Sequence, residues 1–259
     1  MAFSMHQIGK GQDCAGAGKV GIVEYIFAAD GHGRDAAIDA FRAINKDEMA
    51  ASRNPMEYVL EHIRRIDTYQ SGFALVLARK WPGDGITNVD LWWVGDARAQ
   101  VFFMNRVYFT TENHNHDNPE EVSRIATRVA AVKNITAPFA VTPTRVESLP
   151  ITMTAFKQAD GRSPYFIAMT QAFGHNGATG FEPSYHSFRF RDGDAFRVVC
   201  GSDGFFDMPV DGLTTKTAEE LAGDAVALWQ SDKWEFFDGK KTAPSTWGGI
   251  YDDVCVAVM

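Results

Sequence analysis

The sequence has few of the features that mark secreted, membrane-spanning or nucleic-acid-binding proteins. Its three cysteines lie far apart and form no Cys-x-x-Cys pair, which argues against a disulfide scaffold and against zinc or redox motifs. No segment is apolar over the length of a bilayer, and no charged N-terminal region precedes an apolar stretch. The net charge of −8 comes without a Lys/Arg block, which argues against nucleic acid or an anionic membrane as partner. We therefore expect a monomer of the cytoplasm with neither kind of partner.

The composition is that of an ordinary globular protein. Of the 259 residues, 45% are hydrophobic and 22% are charged. A chain of this length suits one large domain or two small ones. It can bury a substantial core, so neither a disulfide nor a metal is needed merely for folding.

Acidic residues stand at the ends of three apolar segments. Asp30 follows the run at 20–29, Asp203 follows the run at 196–200, and Asp252 precedes the terminal run at 254–259. A carboxylate at the end of a buried strand loses solvation energy unless a positive charge meets it. Three such residues from distant parts of the chain indicate a shared cation, and hard divalent ions prefer oxygen ligands.

The hydrophobic periodicity predicts a mixed α+β protein. Helices are expected over 35–44, 54–66, 119–132 and 217–229, and strands over 20–29, 73–79, 89–94, 99–104, 107–110, 165–169, 185–190, 196–200 and 254–259. Hairpin turns are expected at Asn105-Arg106 and at Asp192-Gly193, and Thr217 is the expected N-cap of the last helix. Asp96 and Arg98 are expected to form a structural turn and an ion pair. Because short turns join most strands, we expect two mainly antiparallel sheets, packed face to face with helices outside.

Six short motifs, in their order along the chain, resemble those of the metal-dependent protein phosphatases of type 2C. The resemblance covers nearly the whole chain, so we expect one phosphatase domain over 1–259. The motifs are Ala29-Asp30-Gly31-His32-Gly33, Gly95-Asp96-Ala97-Arg98, Asn113-His114, Thr170-Gln171-Ala172-Phe173-Gly174-His175, Ser202-Asp203-Gly204-Phe205-Phe206-Asp207 and Asp252-Asp253-Val254-Cys255-Val256.

The resemblance implies a four-layer α-β-β-α sandwich with two Mg²⁺ or Mn²⁺ ions at one edge. Asp30 would bridge the two ions, the Gly31 carbonyl would bind one of them, and Asp203 and Asp252 would bind the other. Two further assignments follow from matched positions: Asp13 would hold a water ligand of the metals, and Asp207 would contribute to a third, weaker metal.

The implied activity is hydrolysis of phosphoserine and phosphothreonine in proteins. Two ions roughly 4 Å apart can activate a water and orient it for in-line attack, so no nucleophilic side chain is needed. His32 stands beside Asp30 and is the expected general acid for the leaving oxygen. An unperturbed histidine pKa near 6.5 suits that role.

Three departures from the family pattern bear on turnover and substrate binding. Asn113 and His175 each replace a usual aspartate, and a neutral amide is a poorer ligand for a hard cation. The phosphate-binding arginine before Asp13 is absent, and Lys10 or Lys19 is the expected substitute, although a lysine lacks bidentate geometry.

Two alternatives to a protein phosphatase stay open at this point. One is a catalytically weak member of the family that acts as a binding or regulatory module. The other is a metallohydrolase for a small phosphorylated metabolite. The proline-punctuated stretch at 133–164 falls where the family has a flap, and we expect it to be irregular and to select substrates.

Overall fold

A computed structural model gives the structure of residues 1–5, 11–131, 139–141, 151–156, 165–230, 233–235, 242–244 and 252–259. The helices are α1 (Ala36–Ala43), α2 (Lys46–Ala51), α3 (Pro55–Ile63), α4 (Pro119–Ala131), α5 (Asp203–Phe206) and α6 (Ala218–Trp229). The strands are β1 (Ala2–Met5), β2 (Cys14–Val20), β3 (Val23–Gly33), β4 (Ser71–Pro82), β5 (Ile86–Val94), β6 (Arg98–Phe103), β7 (Arg106–Thr110), β8 (Phe139–Val141), β9 (Ile151–Phe156), β10 (Tyr165–Ile167), β11 (Phe173–Gly174), β12 (Ser184–Arg191), β13 (Phe196–Gly201), β14 (Lys233–Glu235), β15 (Thr242–Pro244) and β16 (Val254–Val258).

Two large sheets organise the described residues, and the pairings within both are antiparallel. One, here called sheet A, has the strand order β1-β16-β13-β6-β7. The other, sheet B, has the order β12-β5-β4-β3-β2, with β11 paired to the start of β4. The smaller groups are β10-β9-β8 and the pair β14-β15. The expectation of two mainly antiparallel sheets is confirmed.

The two large sheets pack against each other through small and branched side chains. Alternate residues of a strand face opposite sides of its sheet, so one face of each strand enters this layer. Sheet B contributes residues such as Ile26 and Val76, and sheet A contributes Val101, Val198 and Cys255, all of them buried. This packing holds the ends of β3, β13 and β16 at a fixed separation.

Helices cover the outer face of each sheet. Phe27 and Leu77 of sheet B pack against Ile38, Phe41 and other buried residues of α1, α2 and α3. On the other side, Val256 and its neighbours in sheet A pack against the buried face of α6, which includes Leu221 and Trp229. The layer order is therefore α-β-β-α, as expected.

The structure differs from the sequence-based expectations in how some strands pair. The hairpin predicted around Asp192-Gly193 is wrong, because β12 pairs with β5 in sheet B while β13 pairs with β6 and β16 in sheet A. The chain crosses between the sheets there, and each strand obtains a full-length partner. The run at 20–29 is also divided, since Val20 ends β2 and the chain reverses at Gly21, which has φ +58°. The hairpin of β6 and β7 is confirmed, with positive φ at Met104 and Asn105.

The structure describes the predicted flap only in part. Within the predicted flap at 133–164, the structure describes only β8 and β9, which pair with each other, and β9 also pairs with β10. The rest of that stretch lies outside the described residues. No helix in the described part of the chain has the length and apolar character needed to cross a membrane.

Candidate active site

The three acidic residues at strand ends lie together at one edge of the sandwich. Asp30 lies near the end of β3 in sheet B, whereas Asp203 follows β13 and Asp252 precedes β16, both in sheet A. The backbone N–H of Asp203 lies 3.4 Å from Oδ2 of Asp30, so this contact joins the two sheets. A Cβ on Gly204 would lie only 2.1 Å from the backbone oxygen of Asp253 and 3.1 Å from Cβ of Asp252, so the chain after β13 has no room for a side chain there.

Two further aspartates complete this carboxylate cluster, which is defined as Asp13, Asp30, Asp96, Asp203 and Asp252. Asp13 directly precedes β2 and is buried; burial raises its pKa, and hydrogen bonding with the side chains of Ser202 and Cys255 offsets part of that effect. Asp96 lies in the turn between β5 and β6 and faces Asp203. Sequence reasoning gave Asp96 only a structural role with Arg98. Its motif position is the observation that could have placed it in the site.

Close packing fixes Asp13 beside Asp30. A Cβ on Gly31 would lie only 2.7 Å from the backbone oxygen of Gln12, so glycine is required where β3 passes this segment. The Gln12 backbone N–H donates to Oδ2 of Asp253 at 3.0 Å. Its side-chain amide donates to the Gly33 carbonyl at 2.9 Å and to Asp35 Oδ1 at 2.6 Å. Gln12 therefore ties the start of β2 to both sheets.

Burial and mutual repulsion raise the pKa values of four carboxyl groups in the cluster. Burial, Asp203 and Asp13 raise the pKa of Asp30 well above its usual range, and the same causes raise the pKa of Asp252 to about 9. Burial and nearby carboxylates raise the pKa values of Asp13 and Asp96 to about 7. Burial is the largest cause of each shift, because it penalises the charged form of a carboxylate, and the neighbouring carboxylates add to it.

The donor chemistry of the cluster fits a hard divalent cation. Oδ2 of Asp13 and Oδ1 of Asp96 are buried and accept no hydrogen bond from the described residues. Among those residues, no three His, Cys, Asp or Glu side chains surround a common point as a ready-made metal site. Mg²⁺ usually keeps several waters and takes only one or two carboxylates, so an open cluster suits it better than a closed cage.

Asp207, the residue expected to serve a third metal, is engaged in an ion pair. The Arg98 guanidinium donates to Oδ1 of Asp207, and the Arg98 side chain is largely buried. The pairing of Arg98 with Asp96 that the sequence indicated is replaced by this longer-range contact. Asn113 lies in the loop before α4, and its Oδ1 is buried without a hydrogen-bond partner among the described residues.

His32 contacts His175, a partner that the sequence did not reveal. Their Nε2 atoms are 2.7 Å apart, and the rings stack with centroids 4.9 Å apart at 28°. Gly72 of β4 makes the pair feasible, since a Cβ there would collide with both rings, 2.6 Å from Nε2 of His32. Burial lowers the pKa of His32 to about 4 and that of His175 well below its usual value. The premise of an unperturbed histidine therefore does not hold in the metal-free protein.

The cations near the site differ from those expected. Lys10 lies outside the described residues. Lys19 lies on the β2–β3 hairpin near its far end, where it pairs with Glu24 at 3.2 Å, so it is not a phosphate ligand at this edge. Arg42 of α1 instead donates to the carbonyl oxygens of Gly11 and Asp13, the second at 3.3 Å. Sequence reasoning missed Arg42, which lies on a helix about 30 residues from Asp13 with no motif to mark it.

Comparison with solved structures identifies the fold. No family model matches the chain, and no curated protein matches its sequence. A serine-threonine phosphatase 2C from Toxoplasma gondii superposes with a TM-score of 0.61 at 14% identity, covering 99% of this chain and 92% of that one. A serine/threonine phosphatase from S. agalactiae gives a TM-score of 0.55 at 15% identity, covering 100% and 96%. A C. elegans sex-determining protein gives 0.58 at 15% identity, and there the chain spans only 63% of the neighbour's length.

Proposed function

Because the chain has the fold of type 2C serine/threonine phosphatases, we propose that it is a Mg²⁺- or Mn²⁺-dependent phosphatase of phosphoserine and phosphothreonine in proteins. The observation that carries the proposal is the carboxylate cluster, in which Oδ2 of Asp13 and Oδ1 of Asp96 are buried without a hydrogen-bond partner among the described residues, and in which burial and neighbouring carboxylates raise the pKa of Asp30. A strand-end cluster of this kind, built by both sheets, has no evident structural use. Its desolvation is unfavourable unless a cation is bound there.

Different residues of the cluster have different proposed roles in binding the ions. Asp30 lies between the two sheets and is the proposed bridging ligand, with the Gly31 carbonyl beside it, while Asp203 and Asp252 approach from sheet A. When bound, the ions would neutralise phosphate charge and supply an activated water. Oδ2 of Asp13 is free to accept a hydrogen bond from a water in the cluster. Asp207, held by Arg98, would serve a third ion only weakly.

His32 is the proposed proton donor to the leaving oxygen. Residues two apart on a strand face the same side, so His32 shares the face of β3 that carries Asp30. His175 fixes the ring of His32 through the contact between their Nε2 atoms. In this arrangement a substrate oxygen must replace or share that contact before His32 can donate to it.

Two contacts favour a second candidate, a catalytically weak binding module. His32 is neutral and engaged by His175 in the metal-free protein, and Asp207 is engaged by Arg98. Both contacts oppose rapid turnover. Turnover numbers measured with Mn²⁺ separate this candidate from the leading one, and parallel assays on phosphopeptides and phosphorylated metabolites separate protein from small-molecule substrates.

The first experiment measures hydrolysis of p-nitrophenyl phosphate with and without metal. Activity should require Mn²⁺ or Mg²⁺ and vanish in EDTA, because the proposed hydrolysis depends on ions held by the carboxylate cluster. Asp30→Asn should abolish most of the activity, while Asp192→Asn, which alters an exposed turn aspartate, should leave it unchanged. Full activity in chelator, or an unchanged rate in Asp30→Asn, would remove the cluster from the chemistry.

A further inference from the structure

A cavity of about 550 Å³ lies away from the carboxylate cluster, between the end of α3, the helix α4 and the segment 172–181. This volume is in the range of natural small-molecule sites. Its apolar walls include Leu60, Ile63 and Phe181. Ile66 also lines it and is 40% exposed. A ligand with an apolar body would therefore find matching surface here.

The charged lining of the cavity is cationic. Arg64 and Arg128 both line it, and no acidic side chain does so among the described residues. Arg64 already has a partner, because it pairs with Glu57 at 3.5 Å. Arg128 makes no ion pair with any described residue. Its Nε and Nη2 instead donate to the carbonyl oxygens of Ala178 and Gly177, at 3.0 and 3.1 Å.

Neutral carbonyls hold the Arg128 guanidinium in place without neutralising it. Burial and the neighbouring Arg124 lower the pKa of Arg128, and Glu182 offsets part of this effect. Arginine nevertheless stays protonated at neutral pH. A half-buried arginine that makes no ion pair with the described residues, beside an open cavity, suits an anionic ligand.

The other polar groups of the cavity are used to shape its wall. Oδ1 of Asn176 accepts from the backbone N–H and the hydroxyl of Thr68, at 2.8 and 3.1 Å. Asn176 itself has φ +52°, and these bonds hold it in that left-handed conformation. Gly180, with φ +80°, leaves room for the Arg128 guanidinium, since a Cβ there would lie 3.1 Å from Nη1 of Arg128. The segment is thus built around the guanidinium.

We propose that this cavity binds a small organic acid, with its carboxylate on Arg128 and its apolar body against Leu60, Ile63 and Phe181. The site is separate from the carboxylate cluster but adjoins its histidine pair. Gly174 and Asn176 line the cavity, and His175 between them contacts His32. A bound acid therefore touches the segment that positions His175.

The test uses 4-phenylbutyrate and its neutral amide as a matched pair of probes, titrated calorimetrically into the metal-free full chain. Because hydrogen bonds to charged groups contribute about 1.5–3 kcal/mol, the acid should bind at least tenfold more tightly than the amide. Arg128→Gln should remove that preference, and Arg106→Gln, on the exposed edge strand β7, should keep it. Equal binding of acid and amide, absence of binding, or an unchanged preference in Arg128→Gln would overturn the proposal.

Two further measurements guard against misfolding and binding elsewhere. Ile66→Glu places a negative charge on the exposed rim of the cavity and should weaken the binding of the acid at least tenfold. Ile66→Gln introduces a side chain of the same shape as glutamate without the charge, and it should not weaken binding in this way. The imidazole NMR signal of His175, assigned by its loss in His175→Gln, should shift when the acid binds to the wild type. Equal affinities in the two Ile66 variants, or an unmoved His175 signal, would contradict this location of the site.

Discussion

The contact between His32 and His175 joins residues 143 positions apart, and it changes what each residue can do. The sequence placed His32 beside Asp30 and marked His175 only as a departure from the family pattern. Neither motif indicates the other, because the contact depends on β11 pairing with β4 at Gly72. The environment of His32, the proposed proton donor, is thus set by a glycine on a third element.

Replacement of His32 tests its proposed role as proton donor. His32→Ala should slow the hydrolysis of phenyl phosphate, which has a poor leaving group, by about 10²–10⁴-fold. It should slow the hydrolysis of p-nitrophenyl phosphate much less, because an activated leaving group needs little protonation. Steady-state rates with saturating Mn²⁺ give the comparison. Equal slowing of the two substrates would assign His32 to positioning or structure instead.

At the scale of elements, two glycines in regular structure should respond oppositely to alanine. Gly223 lies exposed within α6, where a Cβ would meet nothing within 4 Å, so Gly223→Ala should raise the free energy of unfolding by about 0.5–1 kcal/mol. Gly72→Ala forces a methyl group between two histidine rings and should lower it by about 1–3 kcal/mol. Urea denaturation of the metal-free proteins measures both. If Gly72→Ala is as stable as the wild type, the histidine pair does not have the geometry described.

The elements that the sequence predicted best are those with a local cause. Thr217 caps α6 as expected, and Glu220 completes a capping box with it. Helix α2 was missed, since its six residues are too few to show a clear apolar period. The β12–β13 hairpin was predicted from Asp192-Gly193, but this turn sequence also suits a connection between strands of different sheets, as it is here. Strand partners depend on packing across the whole molecule, which a local pattern does not contain.

At the scale of the molecule, the sandwich brings together charges that neither sheet holds alone. Asp30, Asp203 and Asp252 were located from the sequence, because each is an acidic residue at the end of an apolar segment. The burial that raises the pKa values of Asp30 and Asp252, and the participation of Asp96, appear only once both sheets are in place. The roles of these residues as metal ligands, the extent of the phosphatase domain over 1–259 and the weak third ion stay predictions.

Calorimetric titration of the chelator-treated protein with Mn²⁺ tests the central claim most directly, because it needs no substrate. The wild type should bind two ions per chain tightly, with a third only at millimolar metal if at all. Asp203→Asn should weaken the binding of at least one of the two ions by more than about tenfold. Loss of a residue that only supports a metal ligand already weakens binding by about tenfold, so loss of a ligand should have a larger effect. Asp192→Asn should bind as the wild type does. Absence of Mn²⁺ binding to the wild type, or identical titrations for Asp203→Asn and the wild type, would contradict a metal centre at the carboxylate cluster.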